Sequence, residues 1–174
     1  STEQLNRIFD PVVCPDSIRS PYFGRYEGRN LVILIVESFG RELIGSFNRK
    51  DGYKGYTPFL DSLSTRSYVF TRGFANGRKS IEALPSTLAS LPSMEVPFIL
   101  SSYSGNKINS MASLLGSEGY YTAFFHGAPN GSMGFDAFAR QAGYAHYYGK
   151  NEYGNNDDFD GIWGIWDEPF LQYF

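Results

Sequence analysis

The sequence has few of the residues that build disulfide frameworks and metal clusters. Cys14 is the only cysteine among 174 residues, and His126 and His146 are the only histidines. A single thiol excludes an internal disulfide and a cysteine-based zinc site. No stretch of the sequence approaches the roughly 18 apolar residues of a membrane-spanning helix, so we expect the given residues to form a soluble domain.

The sequence also lacks a strong excess of charge. Fifteen Lys and Arg against 18 Asp and Glu give a formal net charge of -3, without a basic tail. Nucleic acid partners are therefore disfavoured, because nothing attracts a polyanion over a distance. Aromatic residues, in contrast, are abundant at 17% of the chain. A chain of this length is expected to fold as one domain with a substantial core.

The order of apolar and turn-forming segments predicts an α/β fold. Residues 31–36 form an aliphatic run without alternation, which predicts a strand buried on both faces, as in parallel sheets. Residues 1–29 are predicted to be an extended lead-in. Further strands are predicted at 67–72, 120–125 and 144–148, and helices at 57–63, 80–91, 108–115, 135–142 and 166–174. This order implies right-handed crossovers and a mainly parallel sheet with helices on both faces.

Glu37 follows the first predicted strand directly and is the first candidate site residue. Ligands of open parallel sheets bind outside the carboxyl ends of the strands, so a carboxylate at that position is a candidate ligand or catalyst. A solvated loop carboxylate would explain the same pattern. The pattern alone leaves both interpretations open.

Ser80 lies near the start of a predicted helix, where unpaired amides and the helix dipole favour an anion. Arg78 and Lys79 add two cations, which suits a nucleophile that attacks a phosphate ester. The alternative is that Ser80 only caps the helix. Residues 73–80 also approach a nucleotide-binding P-loop, but Arg78 replaces the second glycine and would obstruct the phosphate cradle.

His126 is the histidine at the end of a predicted strand, and both a site role and a structural role remain open for it. His146 lies among aromatic residues and is interpreted as a packed or surface ring. Trp163 and Trp166 favour core or subunit contacts, with sugar stacking as the alternative.

Five blocks of sequence share the order and residues of one enzyme family. They are residues 31–40, 55–63, 76–85, 124–136 and 163–168. Together they resemble the sulfatase family of the alkaline phosphatase superfamily, in the group that contains lipoteichoic acid synthase and the phosphoglycerol transferases. The resemblance implies an alkaline phosphatase-like α/β fold, in which residues 30–174 would be the N-terminal part of a catalytic domain.

The resemblance also implies roles for individual residues. Glu37 and Ser80 would bind a divalent metal ion (Mn, Mg or Zn), and Ser80 would be the nucleophile, where synthases of this family carry Thr. Lys79, Arg78 and His126 would contact the phosphate or polar head of the substrate. The family completes its metal site with an Asp-His pair and a further ligand, and no Asp-His-Gly motif occurs here. Because such cations need four to six donors, we expect the chain to be truncated before the C-terminal half and inactive alone.

The implied activity is that of a metal-dependent phosphoryl-ester transferase or hydrolase, of the phosphoglycerol or phosphoethanolamine transferase type. Its substrate would be a lipid head group or envelope glycan, and the full-length protein would face outward from a bacterial inner membrane through an anchor outside this chain. Ala128, Met133 and Phe135 replace the acidic and Trp-x-Arg residues typical of lipoteichoic acid synthases, which leaves the substrate open.

Two other functions remain as alternatives. One is sulfate ester hydrolysis, although residues 80–84 do not provide the C/S-x-P-x-R maturation motif that its common form needs. The other is a non-catalytic glycan-binding module, which the aromatic content and the short list of metal ligands would suit.

Overall fold

The computed structural model describes residues 3–4, 27–93 and 95–174. The chain divides into two compact units, Ser1–Val36 and Glu37–Phe174. In the first unit, residues 27–36 contain neither helix nor strand, and most of the predicted lead-in lies outside the described residues. All the elements that carry the candidate site therefore belong to the second unit.

The second unit alternates short helices with a small sheet. Its α-helices and strands are α1 (Pro58–Ser64), α2 (Ser80–Ala89), α3 (Met111–Ser117), β1 (Ala123–Phe125), α4 (Phe135–Gln141), β2 (His146–Tyr148), α5 (Lys150–Tyr153) and α6 (Asp167–Tyr173). Single turns of 3-10 helix lie at Arg41–Leu43, Gly45–Phe47, Lys50–Gly52, Phe98–Leu100 and Ser132–Gly134. No helix in the described ranges is long and apolar enough to cross a membrane.

Capping residues determine where these helices begin. Helix α1 starts at Pro58, as predicted, because proline suits the first helical position. Helix α3 starts at Met111, three residues later than predicted. Its N-cap is Ser110, whose hydroxyl accepts a hydrogen bond from the amide of Ser113 at 3.1 Å. The capping interaction decides the boundary more sharply than the apolar period does.

Strands β1 and β2 pair in parallel, with α4 between them in the chain. The register places Phe124 opposite Tyr147 and Phe125 opposite Tyr148, and both pairs of rings stack. The predictions of strands at 120–125 and 144–148 are thus confirmed, although each strand is shorter. Side chains alternate between faces along a strand, so Tyr147 and Tyr148 serve opposite faces of the sheet.

One hydrophobic core connects α2 to β1 and α4. Its buried members are Ile81, Leu84, Leu88, Phe124, Phe135, Phe138, Ala139 and Ala142. Ile81 directly follows Ser80, and Phe124 lies two residues before His126. The core therefore anchors the two elements on which the candidate nucleophile and the candidate substrate-binding histidine stand.

Two of the strand predictions are wrong. Residues 31–36 form no strand, and each of their side chains is at least 37% exposed. Residues 67–72 form no strand either, and Tyr68 and Phe70 are more than four-fifths exposed. A strand is stable only when a neighbouring backbone pairs with it, and within the described ranges neither segment has such a partner. Apolar composition indicates that a segment suits a buried sheet, but it does not supply the adjacent strand.

Candidate active site

Ser80 is the first residue of α2, and its hydroxyl does not cap the helix. The N-cap is Lys79, so the interpretation of Ser80 as an N-cap is wrong. The side chain of Glu82 instead binds the two amides just before the helix: its Oε2 accepts hydrogen bonds from the backbone N–H groups of Arg78 at 2.7 Å and Lys79 at 3.0 Å. No hydrogen bond joins the Ser80 hydroxyl to another described residue. That hydroxyl remains available for chemistry.

Glu82 organises the loop that precedes α2. Its second oxygen, Oε1, accepts a hydrogen bond from the hydroxyl of Ser93 at 2.8 Å, and the amide of Ser93 donates to Oδ1 of Asn76 at 2.9 Å. The backbone hydrogen bond from Arg78, followed by the one from the Ser93 hydroxyl, holds the pKa of Glu82 below its ordinary value. Sequence reasoning missed this residue, because the signature of a capping box has Ser or Thr at the N-cap, where this chain has Lys79.

Gly77 permits the close approach of this loop to Glu82. Its φ angle is +141°, a backbone conformation that residues other than glycine rarely adopt. A Cβ atom at Gly77 would lie 2.7 Å from Cβ of Glu82 and 2.8 Å from its carboxylate. Only glycine therefore fits between the loop and the capping carboxylate.

Arg78 and Lys79 directly precede Ser80 in the chain. Both side chains are exposed, and both residues immediately precede α2, a helix of ten residues. Two cations and the positive end of the helix dipole thus act on the same position in the chain, which favours an anionic ligand there. Their contact with a substrate stays a prediction.

His126 directly follows β1, and its backbone continues the sheet. Its amide donates a hydrogen bond to the carbonyl oxygen of Tyr148 at 2.9 Å. The imidazole packs against the ring of Phe135 with 4.8 Å between the centroids, and its Nδ1 lies 3.4 Å from the hydroxyl oxygen of Tyr147. Burial lowers the pKa of His126, while the charge of Glu37 opposes this effect.

The charge of Glu37 acts to raise the pKa of His126. Glu37 is exposed in a turn, and the next residue, Ser38, has a φ angle of +55°. This left-handed conformation is uncommon outside glycine, and such residues cluster at functional sites. Among the predicted site residues, Glu37 therefore acts on the pKa of His126. That Glu37 and Ser80 bind one metal ion stays a prediction.

The described residues do not by themselves form a complete metal site. Within residues 3–4, 27–93 and 95–174, no group of three or more His, Cys, Asp or Glu side chains is arranged to hold an ion. Glu37 and Ser80 would supply one carboxylate and one hydroxyl, which is fewer than the four to six donors that divalent cations take. These two residues fit part of such a site, and further donors are needed.

Two backbone hydrogen bonds hold the loop after β1 against neighbouring segments of the chain. The amide of Lys150 donates to the carbonyl oxygen of Ala128 at 3.2 Å, and the amide of Ile165 donates to that of Gly127 at 2.9 Å. Ile165 is buried, whereas Trp163 and Trp166 on either side of it are 79% and 60% exposed. The loop that carries His126 is thus held in place, and the two indoles face solvent.

Comparison with known proteins settles the family. A model of the sulfatase family, described as Sulfatase, matches residues 29–174. The chain belongs to the sulfatase family. This sulfatase-family chain is similar to the crystal structure of a lipoteichoic acid synthase, LtaP, from Listeria monocytogenes. The two chains are 28% identical with a TM-score of 0.76, over 98% of this chain and 40% of the other.

A second solved structure, a protein in the alkaline phosphatase superfamily from Vibrio parahaemolyticus, is 26% identical with a TM-score of 0.68. The match covers 78% of the sulfatase-family chain and 32% of the other chain. This chain thus spans 32% and 40% of the length of these two neighbours. The family resemblance and the alkaline phosphatase-like α/β fold predicted from the sequence are both confirmed.

Family membership also bears on chemistry. Sulfatases and their superfamily relatives are transferases or hydrolases of phosphate or sulfate esters, and they are generally metal-dependent.

Proposed function

We propose that this chain carries the nucleophile half of the active site of a phosphoryl-ester transferase or hydrolase, with Ser80 as the nucleophile. One observation carries the proposal: the Ser80 hydroxyl, at the first position of α2, makes no hydrogen bond to another described residue, while Glu82 binds the amides of the two residues before it. Arg78 and Lys79 adjoin it, and both are exposed. A free alcohol among groups that favour an anion suits attack on a phosphate ester.

The reaction has two displacements at phosphorus. The Ser80 oxygen attacks the phosphorus atom, the bond to the leaving alkoxide breaks, and the serine proton is taken up in the release of the free alcohol. Water or an acceptor hydroxyl then attacks the phosphorus of the phosphoserine. The bond to the serine oxygen breaks, and the proton of the attacking group restores the serine hydroxyl. Arg78, Lys79 and His126 contact the phosphoryl oxygens or the polar head, where developing negative charge needs compensation.

The remaining donors of the metal site come, in this proposal, from parts of the protein outside this chain. Glu37 and Ser80 supply two ligands to a divalent ion, which is Mn, Mg or Zn. When bound, such an ion lowers the pKa of a coordinated hydroxyl and neutralises charge on the phosphoryl group. Because two donors bind an ion weakly, we expect the chain alone to show no turnover.

The substrate is proposed to be a lipid head group or an envelope glycan, with phosphoglycerol or phosphoethanolamine transfer favoured over sulfate ester hydrolysis. The similarity to a lipoteichoic acid synthase supports this class. The absence of the C/S-x-P-x-R maturation motif at residues 80–84 also supports it. By the same argument the full-length protein acts outside the cytoplasm, anchored to a bacterial inner membrane by a segment that is not in this chain.

The test is turnover of a fluorescent phosphatidylglycerol by the full-length protein in the presence of manganese. Ser80→Ala should reduce turnover by at least a thousandfold, because no other group replaces the nucleophile. Ser80→Thr keeps a hydroxyl and should retain measurable activity. Thr87→Ala, which removes an exposed hydroxyl from the same helix, is the matched control and should leave turnover unchanged. Turnover that survives Ser80→Ala would contradict the role of Ser80.

A further inference from the structure

Tyr147 contacts His126 from the neighbouring strand, and its ring is held in place. The Tyr147 hydroxyl oxygen lies 3.4 Å from Nδ1 of His126. The ring stacks on Phe124 with 5.8 Å between centroids and 8° between planes. A Cβ atom at Gly149 would lie 2.8 Å from Cε1 of Tyr147, so this glycine also lies close to the ring. The phenol is therefore packed in the position from which it meets the imidazole.

The chemistry of the two groups decides the direction of this hydrogen bond. Burial, with Asp136 and Glu152 nearby, raises the pKa of Tyr147 to about 12, so the phenol keeps its proton. Burial lowers the pKa of His126, which favours the neutral imidazole with one nitrogen that accepts a hydrogen bond. A basic imidazole nitrogen is a better acceptor than a phenol oxygen, and a phenol is the more acidic donor. The stable arrangement has the Tyr147 hydroxyl donating to Nδ1.

The other imidazole nitrogen then carries the proton. Nε2 of His126 has no hydrogen-bond partner within the described part of the chain. The non-bridging oxygens of an ionised phosphate ester only accept hydrogen bonds, so a protonated Nε2 complements them and a bare Nε2 would repel them.

We propose that Tyr147 is a positioning residue: its hydroxyl holds His126 in the tautomer that is protonated at Nε2, so that the ring donates a hydrogen bond to an oxygen of the anionic substrate. The identity of the substrate rests on the proposed function, whereas the tautomer does not depend on it. Neither Tyr147 nor the tautomer of His126 follows from the sequence pattern, because the segment 144–148 contains three tyrosines.

Tyr148 provides a matched control from the same strand. It lies on the opposite face of the sheet, where its hydroxyl is 2.7 Å from that of Tyr121 and its ring stacks on Phe125. Tyr148→Phe removes a phenolic hydroxyl from the neighbouring residue of β2, whose carbonyl oxygen binds the His126 amide, without altering the group that faces Nδ1. Any general effect of deleting a hydroxyl from β2 should appear in both variants.

The decisive experiment is nitrogen-15 NMR of the full-length protein labelled at histidine, with His126→Gln used to assign the signals. We expect His126 to show a protonated Nε2 and a bare, hydrogen-bonded Nδ1. Tyr147→Phe should shift the Nδ1 signal toward that of an unbonded nitrogen, and Tyr148→Phe should leave it in place. A proton on Nδ1 in the unsubstituted protein would overturn the proposal, as would an Nδ1 signal that Tyr147→Phe does not move.

Activity gives a second readout. Tyr147→Phe should lower kcat/KM for the fluorescent ester by about fivefold to tenfold, the order expected for losing one hydrogen bond, while Tyr148→Phe should change it by less than twofold. If Tyr147→Phe does not fold, the tautomer in the unsubstituted protein still decides the question. If Ser80→Ala does not abolish turnover, the proposed reaction is contradicted, but the NMR result is unaffected. Failure of the proposed function and failure of the tautomer proposal are therefore distinguishable.

Discussion

The side-chain amide of Asn130 donates hydrogen bonds to both carboxylate oxygens of Glu152, at 3.1 Å and 3.0 Å. Asn130 lies in the loop after β1, and Glu152 lies in α5, directly after β2. Glu152 also accepts a hydrogen bond from the amide of Gly149 at 2.7 Å, and Oδ1 of Asn130 accepts one from the amide of Asn151 at 3.2 Å. This Asn130–Glu152 clamp joins the loops at the carboxyl ends of the two parallel strands, beside His126.

Breaking the clamp should loosen the loop that follows His126. Asn130→Asp places a carboxylate against that of Glu152, so we expect the free energy of unfolding to fall by about 1 kcal/mol. Faster amide hydrogen exchange over residues 127–134 should accompany the loss. Asn151→Asp adds the same charge to α5 without breaking the clamp and is the control. Equal exchange rates in the two variants would show that the clamp does not hold the loop.

Substitution of Gly77 should disturb the loop that carries the two cations. Gly77→Ala brings a Cβ to within 2.7 Å of Glu82 at a φ angle of +141°, and such strain costs about 1–3 kcal/mol. We expect at least a tenfold loss of ester turnover in the full-length protein, since Arg78 and Lys79 follow directly. Gly73→Ala is the control, because nothing lies within 4 Å of the added atom. Similar activities for the two variants would contradict the prediction.

Glu82 should make stability depend on pH in the acid range. Its pKa in the folded chain lies below the ordinary value of 4.5, chiefly because of the hydrogen bond from the Arg78 amide. A group with a depressed pKa stabilises the fold above its unfolded pKa, and that contribution disappears as the pH falls through the folded value. The free energy of unfolding should therefore decrease as the pH falls below 4.5. In Glu82→Gln the decrease should be smaller, which chemical denaturation at several pH values would measure.

The charge of Glu37 should be detectable at His126. Glu37 raises the pKa of His126 against the larger effect of burial, so Glu37→Gln should lower that pKa further. Glu42→Gln, another exposed carboxylate, should leave it unchanged. Titration of the His126 ring protons by NMR compares the two variants. An unchanged pKa of His126 in Glu37→Gln would show that the charge of Glu37 does not act on this histidine.

The same pKa has a consequence for stability. Because the folded pKa of His126 lies below 6.5, the unfolded chain takes up the proton first as the pH falls. Stability should therefore decline as the pH drops from 6.5 toward the folded value. His126→Gln removes this part of the pH dependence, and a slope that persists in that variant would assign it to another group.

Local signals in the sequence predicted the helix and strand that carry the site residues better than they predicted the contacts between those residues. The start of α2 at Ser80 and the strand that leads to His126 were predicted correctly, because the apolar period of a helix and an apolar run are properties of residues close in sequence. The strand predicted at 31–36 does not form, because a strand needs a pairing partner that no local pattern specifies. Glu82 was missed because the residue three positions before it is a lysine, which is not a usual N-cap. Tyr147 could not be recognised either, because its role depends on which face of β2 meets the imidazole.

The pairing of β1 with β2 also limits how the family can vary at this point. Phe124 lies opposite Tyr147 and Phe125 opposite Tyr148. A slip of β2 by one residue against β1 would exchange the two phenols and turn the wrong one toward the imidazole. Natural relatives that keep a tyrosine in this role should therefore keep this register.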